Sequence, residues 1–200
     1  MGKRLGRKRL YSLEKKGQSN TNTPFSGISG AIGHTKVSRD GNLITTEITI
    51  DLGTSAAAIC QSCDANAAIG TGSKGASLGQ ITTAVNGIVT EAEFVCLETP
   101  LGGITGSDID VSYGTGSTTS YSSSAGLTRL INAGGENVVI GKNFVQDIDD
   151  NALSDKHLYL TNGFTTDVAP PPTGNDASTH PFTAGKLVLR LYGYAVPDDL

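Results

Sequence analysis

Short runs of alternating apolar and polar residues, separated by glycine- and serine-rich breaks, restrict this chain to β architecture. From Leu43 to Asp51, Ile44, Thr46, Ile48 and Ile50 fall on one side, and Thr45, Glu47, Thr49 and Asp51 on the other. From Lys186 to Ala195, Leu187, Leu189 and Leu191 alternate with Val188, Arg190, Tyr192 and Tyr194. A period of two puts each set on one strand face, so both runs predict half-buried strands. Further strands are expected at Ile81 to Val85, Ile88 to Glu98, Asn137 to Gly141 and His157 to Thr161. In the second of these, Ile88, Thr90, Ala92, Phe94 and Cys96 share a face, and Pro100 with Gly102-Gly103 stops the run. Ile109, Val111 and Tyr113 alternate with Asp108, Asp110 and Ser112, which reads as an edge-like strand. Leu127, Leu130 and Ile131 stand at i, i+3 and i+4 and predict one short helix, while Gly53 to Gly79 reads as mostly loop. The whole describes an all-β domain, a β-sandwich of jelly-roll-like type; an immunoglobulin-like sandwich has the same period, so strand order stays open.

Two hundred residues suit one domain. Hydrophobic residues make up only 37%, with 26 glycines and no tryptophan, so the core is thin and association with neighbours would help it. Lys3, Arg4, Arg7, Lys8, Arg9, Lys15 and Lys16 face only Glu14 in the first sixteen positions, a net +6; the remainder carries 8 basic against 18 acidic residues, a net −10. The chain therefore divides into a basic N-terminal arm (1–17), a polar linker (18–33) and a sandwich domain (34–200). Phe25 is expected to dock from the linker onto the body. A like-charge block of this kind marks an interaction tail, read here as docking to an acidic protein surface ahead of nucleic acid or simple solubilisation. No stretch approaches the roughly 18 apolar residues of a spanning helix, and the basic start leads into polar Gln18 to Asn22, so neither membrane nor secretion is expected. Three cysteines, an odd number, fit thiols in a reducing cytoplasm.

The motifs that could carry chemistry each lack part of their context. Cys60 and Cys63 have C-x-x-C spacing, yet zinc needs four ligands, and neither Cys96 nor His34 is brought near by spacing. Gly70 to Gly75 matches G-x-G-x-x-G without a strand leading in or a helix leading out, which reads as a glycine loop. Asp147, Asp149, Asp150, Asn151 and Asp155, and separately Asp108 with Asp110, could offer oxygens to a cation but read as capped turns and a solvated face. His34, His157 and His180 are isolated, and no serine sits in a G-x-S-x-G turn. No catalytic residue, metal or cofactor is expected. Tyr192 and Tyr194 read as interface residues, as aromatics on an outward face often are.

Five stretches together resemble small virion structural proteins of marine tailed phages, including cyanophages. They are Ile44 to Leu52, Gly79 to Gly87, Cys96 to Gly103, Asp108-Ile-Asp110 and Phe182 to Tyr194. The resemblance implies a capsid decoration or cement protein on the head exterior, assembled in the host cytoplasm, working as a homo-oligomer, a trimer by preference, on the major capsid protein, with the basic arm as anchor and Phe25, Tyr192 and Tyr194 at the oligomer or capsid interface. A tail, neck or fibre component, and a module displaying its Gly/Ser/Tyr loops to host glycans, are the alternatives.

Overall fold

The structure, a computed structural model, describes residues 23–24, 33–53, 59–61, 64–71, 74–103, 108–117, 119–120, 123–132, 138–149, 151–163 and 180–195. Its strands are β1 (Thr23–Pro24), β2 (Gly33–Asp40), β3 (Leu43–Asp51), β4 (Cys60–Gln61), β5 (Gly70–Thr71), β6 (Lys74–Gly75) and β7 (Ser77–Ile81). After the four-residue helix α1 (Thr83–Asn86) come β8 (Ile88–Gly102), β9 (Ile109–Gly114), β10 (Leu127–Ile131), β11 (Asn143–Asp147), β12 (Lys156–Asn162) and β13 (His180–Tyr194). Two antiparallel sheets pack face to face, as expected of a β-sandwich. The large sheet runs β1-β2-β3-β13-β8-β11, with β4, β5 and β6 added at the N-terminal end of β13; the small sheet runs β10-β9-β12-β7.

The two alternating runs lie side by side. Lys186 is opposite Asp51 and Tyr194 opposite Leu43, which turns Ile44, Ile48 and Ile50 of β3 and Leu187, Leu189 and Leu191 of β13 inward together. Ala92, Phe94 and Cys96 of β8 complete that inner face, and Leu78, Val111, Leu158 and Leu160 of the small sheet meet it. The β2–β3 turn has two residues, with Gly41 at φ 60°, the left-handed start that a two-residue hairpin requires and that glycine adopts without steric cost.

The structure corrects several sequence expectations. Leu127 to Ile131 is a strand, not a helix. Five residues are too few to offset helix nucleation, and a bulge at Leu130 buries both Leu130 and Ile131 against the core. Ile109 to Tyr113 is no edge: β9 lies between β10 and β12, buried on both faces. The strand expected to run to Val85 ends at Ile81, where α1 takes over, and the strand expected at Asn137 to Gly141 occurs at Asn143–Asp147. Gly53 to Gly79 contributes β4, β5, β6 and the start of β7. Pro100 does not stop β8, which continues to Gly102. Nor do Ile88 and Thr90 share the buried face of Ala92, because a bulge near Val89 shifts the register and turns Val89 inward instead.

Phe94 is fully buried at the middle of this core. Phe94→Ala is expected to cost about 3–5 kcal/mol, read as a lower urea midpoint with an unchanged slope.

Candidate interaction surface

The large sheet packs only one face on the core, and the other carries an ordered pattern of side chains. Directly opposite residues share a face, so the register gives the rows. Asp40, Leu43, Tyr194 and Ile88 form the terminal row; Ser38, Thr45, Tyr192, Glu91 and Asp147 the next; Lys36, Glu47, Arg190, Glu93 and Val145 the third. The terminal row is apolar across three adjacent strands, and Leu43, Ile88 and Tyr194 are all exposed, Tyr194 by 53%. Helix α1 sits at the same end, where Gly87 abuts the Tyr194 carbonyl, and it adds the exposed Val85. A second exposed apolar group lies near the far end: Leu97 and Leu101 on β8, and Val139 and Ile140 in the turn before β11, where the Ile140 amide donates to Thr99 Oγ1 at 2.9 Å.

Between them the third row is tied by charge. Arg190 Nε is 2.9 Å from Glu47 Oε2 and Nη1 is 3.2 Å from Glu93 Oε2. The Tyr192 hydroxyl donates to Glu93 Oε2 at 2.9 Å and Asn143 Nδ2 to Glu93 Oε1 at 2.9 Å. Four strands are thus stitched by one guanidinium and two carboxylates. Burial alone would push the Glu93 carboxyl up; the hydrogen bonds from Tyr192, Arg190 and Asn143 outweigh it and hold the group below the usual carboxylate range. Burial and the Glu93 bond push the Tyr192 phenol up.

The small sheet holds a different polar group. Asp108, Asp110, Ser112 and Thr161 lie on β9, its N-terminal approach and β12, yet all four are buried; beyond Tyr159 the free edge of β12 is bonded to Ala67, Ile69 and Ala76, with Ala68 opposite Thr161. Arg129 Nε reaches Asp110 Oδ2 at 2.7 Å, and its Nη2 donates to Asn66 Oδ1. Ser112 and Thr161 hydroxyls pair at 2.8 Å. Asp108 stands opposite Gly163, whose missing Cβ makes room for its carboxyl; Asp108 Oδ1 has no hydrogen-bond partner among the described residues. Burial pushes the Asp108 carboxyl up, and the nearby Arg129 charge offsets this only in part.

Of the residues singled out in the sequence, Lys3, Arg4, Arg7, Lys8, Arg9, Lys15, Lys16 and Phe25 lie outside the described residues. Tyr192 is half-buried with its hydroxyl engaged, and Tyr194 is open. Cys60 is buried on β4 and Cys96 on β8, each thiol pushed up chiefly by burial; Cys63 lies outside the described residues. Gly70–Thr71 and Lys74–Gly75 pair as β5 and β6 with Gly70 opposite Gly75, where a Cβ on Gly75 would meet Thr119 and Ala68. Asp147 and Asp149 are exposed, and Asn151 and Asp155 take positive φ in the following turns. Among the described residues no group of three or more His, Cys, Asp or Glu could hold a metal ion, and no helix is long and apolar enough to cross a membrane. Sequence reasoning missed the Leu43–Tyr194–Ile88 row, because it depends on strand pairing, and the Asp110–Arg129 pair, whose one signal was an isolated arginine in an acidic body. No protein-family model, curated protein or solved structure matches the chain.

Asp110 is fully buried and Arg129 about three-quarters so. Arg129→Met leaves a charged carboxylate in a dry site and is expected to cost about 3–5 kcal/mol; adding Asp110→Asn should recover much of that in a double-mutant cycle. For Asp108, the folded pKa stands above the unfolded one. Its contribution is therefore complete below the ordinary aspartate pKa and is lost as pH rises through the raised value. Asp108→Asn removes the buried charge and keeps a polar side chain of the same shape, and is expected to raise the melting temperature at neutral pH and to give no such gain in acid, measured as melting temperature against pH.

Proposed function

We propose that this protein is a structural component of a tailed-phage virion, a decoration or cement protein that binds the major-capsid lattice from the outside and reinforces the head. The observation that carries the reading is the solvent-facing side of the large sheet, with its apolar row Leu43–Tyr194–Ile88 beside a cross-strand charge network. Larger exposed apolar patches mark interaction sites, and an apolar row joined across three adjacent strands is a candidate for one. The segments that resemble marine-phage virion proteins support it by position: Ile44 to Leu52, Cys96 to Gly103 and Phe182 to Tyr194 fall on or beside β3, β8 and β13, adjacent strands of that same sheet.

In this reading the protein's work is mechanical and not catalytic. Many modest contacts repeated over a lattice gain strength through effective concentration, so a thin-cored domain can hold a shell without high affinity at one site. The arm residues Lys3, Arg4, Arg7, Lys8, Arg9, Lys15 and Lys16 extend each subunit's reach to acidic capsid-protein surface and not to packaged nucleic acid. Homo-oligomerisation raises the number of contacts each particle makes. The protein belongs on the virion head exterior, with assembly in the host cytoplasm, and needs no cofactor.

Purified protein added to undecorated capsids tests this. Binding is expected, weakened by salt because the arm contributes charge, and reduced about tenfold or more by Tyr194→Ala, as for an aromatic anchor. Deleting residues 1–16 is expected to abolish most of the salt dependence. Cryo-EM of virions that placed the protein in the tail or neck, or in few copies, would overturn the decoration reading.

A further inference from the structure

Among the described residues β11 is the outermost strand of the large sheet, paired to β8 on one side only. The bonds at its two ends show which residues turn towards β8: the Cys96 amide donates to the Lys142 carbonyl at 3.0 Å, and the Ile148 amide to the Thr90 carbonyl at 2.8 Å. Bonded and non-bonded pairs alternate along an antiparallel ladder. Residues 142, 144, 146 and 148 therefore direct their backbone groups to β8, while Asn143, Val145 and Asp147 direct theirs to the open edge. Among the described residues one of those outward groups has a partner, the Asp147 carbonyl, which accepts from Gln146 Nε2 at 3.0 Å. Natural edges are blunted by proline, lysine or a bulge. Asn143 to Asp147 contains none of these, its one charge is Asp147 at the strand's end, and its central side chain, Val145, is 57% exposed.

We infer that β11 pairs antiparallel with β11 of a second copy of this chain, about a two-fold axis at Val145. The strand's own parity excludes odd shifts, and of the registers it allows this one pairs all three outward residues. Val145 meets its counterpart and Asn143 meets the Asp147 of the other copy, so every outward N–H and C=O faces a position that is also outward; a shift of one residue would set outward groups against inward ones. Opposite residues share a face, so the two Val145 side chains pack together on the outer face. Each Asp147 carboxylate meets a neutral Asn143 amide, and no like charges oppose. The large sheets of the two copies become one continuous sheet, and an isologous contact of this kind closes at two subunits.

The inference deepens the homo-oligomer part of the proposed function and makes the contact two-fold where the resemblance implied three. The measurement is the mass of the full-length protein in solution by sedimentation equilibrium, with a dimer expected. Val145→Pro removes only an outward N–H and keeps the β8 ladder; Val145→Lys opposes two ammonium groups at the axis. Both are expected to give monomers with unchanged far-UV circular dichroism, and Val145→Lys serves alone if the proline variant does not fold. Val145→Cys is expected to yield a disulfide-linked dimer on oxidation, since paired Cα atoms stand about 5.5 Å apart, within disulfide reach. Asn143→Cys, which faces Asp147, is expected to yield none. A monomeric or trimeric native protein at the highest soluble concentration, or a dimer that Val145→Lys leaves intact, overturns the inference. Capsid binding is read separately: a β11 dimer that ignores capsids overturns the virion reading and leaves this one standing.

Discussion

The structure depends on β13 being hydrogen-bonded along both edges at once. Its Lys186 to Tyr194 half holds β3 on one side and β8 on the other, and His180 and Pro181 hold β4. Without it β3 and β8 would each present an open edge, and their inward rows, Ile44 to Ile50 and Ala92 to Cys96, would lack the leucine stripe that joins them. Arg190 and Glu47, bonded across this junction, lie 143 residues apart in the chain. Closing such distant pairs is entropically costly and makes sheet topologies slow to fold. The large sheet cannot be completed until β13 is in place.

Charge is used in two opposite ways on the two sheets. On the outer face of the large sheet, Arg190, Glu47, Glu93, Tyr192 and Asn143 share bonds at partly exposed positions, where Glu93 is held in its ionised form. Its contribution is present above the ordinary glutamate pKa and fades as pH falls through the lowered value. In the small sheet Asp110 is buried and paired, while Asp108, one of whose oxygens has no partner among the described residues, is pushed up by burial, which favours its neutral form. The two carboxylates, Glu93 and Asp108, therefore oppose each other in pH dependence. Pairing by Arg129 and the opening at Gly163 make burial of the second group tolerable, with Arg129 more a guard against an uncompensated charge than a source of net stability.

Both candidate contact surfaces follow from the same arrangement. A sandwich covers one face of each sheet; here the small sheet's second face still buries Asp108, Asp110, Ser112 and Thr161, while the large sheet's second face carries the exposed Leu43, Ile88, Val145 and Tyr194. That asymmetry gives the large sheet an outer face that is apolar at the end where β3, β13 and β8 line up and, among the described residues, one open strand at β11. A face and an edge are independent surfaces. An assembly protein can use the first against a lattice and the second against its own kind.

The amino-acid sequence by itself determined the class of fold and the inward faces of β3 and β13, because alternation with period two is a local property that survives any tertiary arrangement. It also marked the basic segment and the outward tyrosines. Tertiary structure alone decided whether polar alternates face water or another layer. Asp108, Asp110 and Ser112 alternate with apolar residues as Glu47 and Thr49 do, yet the first set is buried and the second is not, because groups remote in sequence, such as Arg129 at Asp110, pack against the first. It also decided register. A bulge near Val89 moves Ile88 out of the core, and a bulge at Leu130 makes a strand of what spacing reads as a helical turn. Bulges are set by the partner strand, and that partner is remote in sequence, so the exposed row Leu43–Tyr194–Ile88 and the open edge at β11 exist only once the strands have paired.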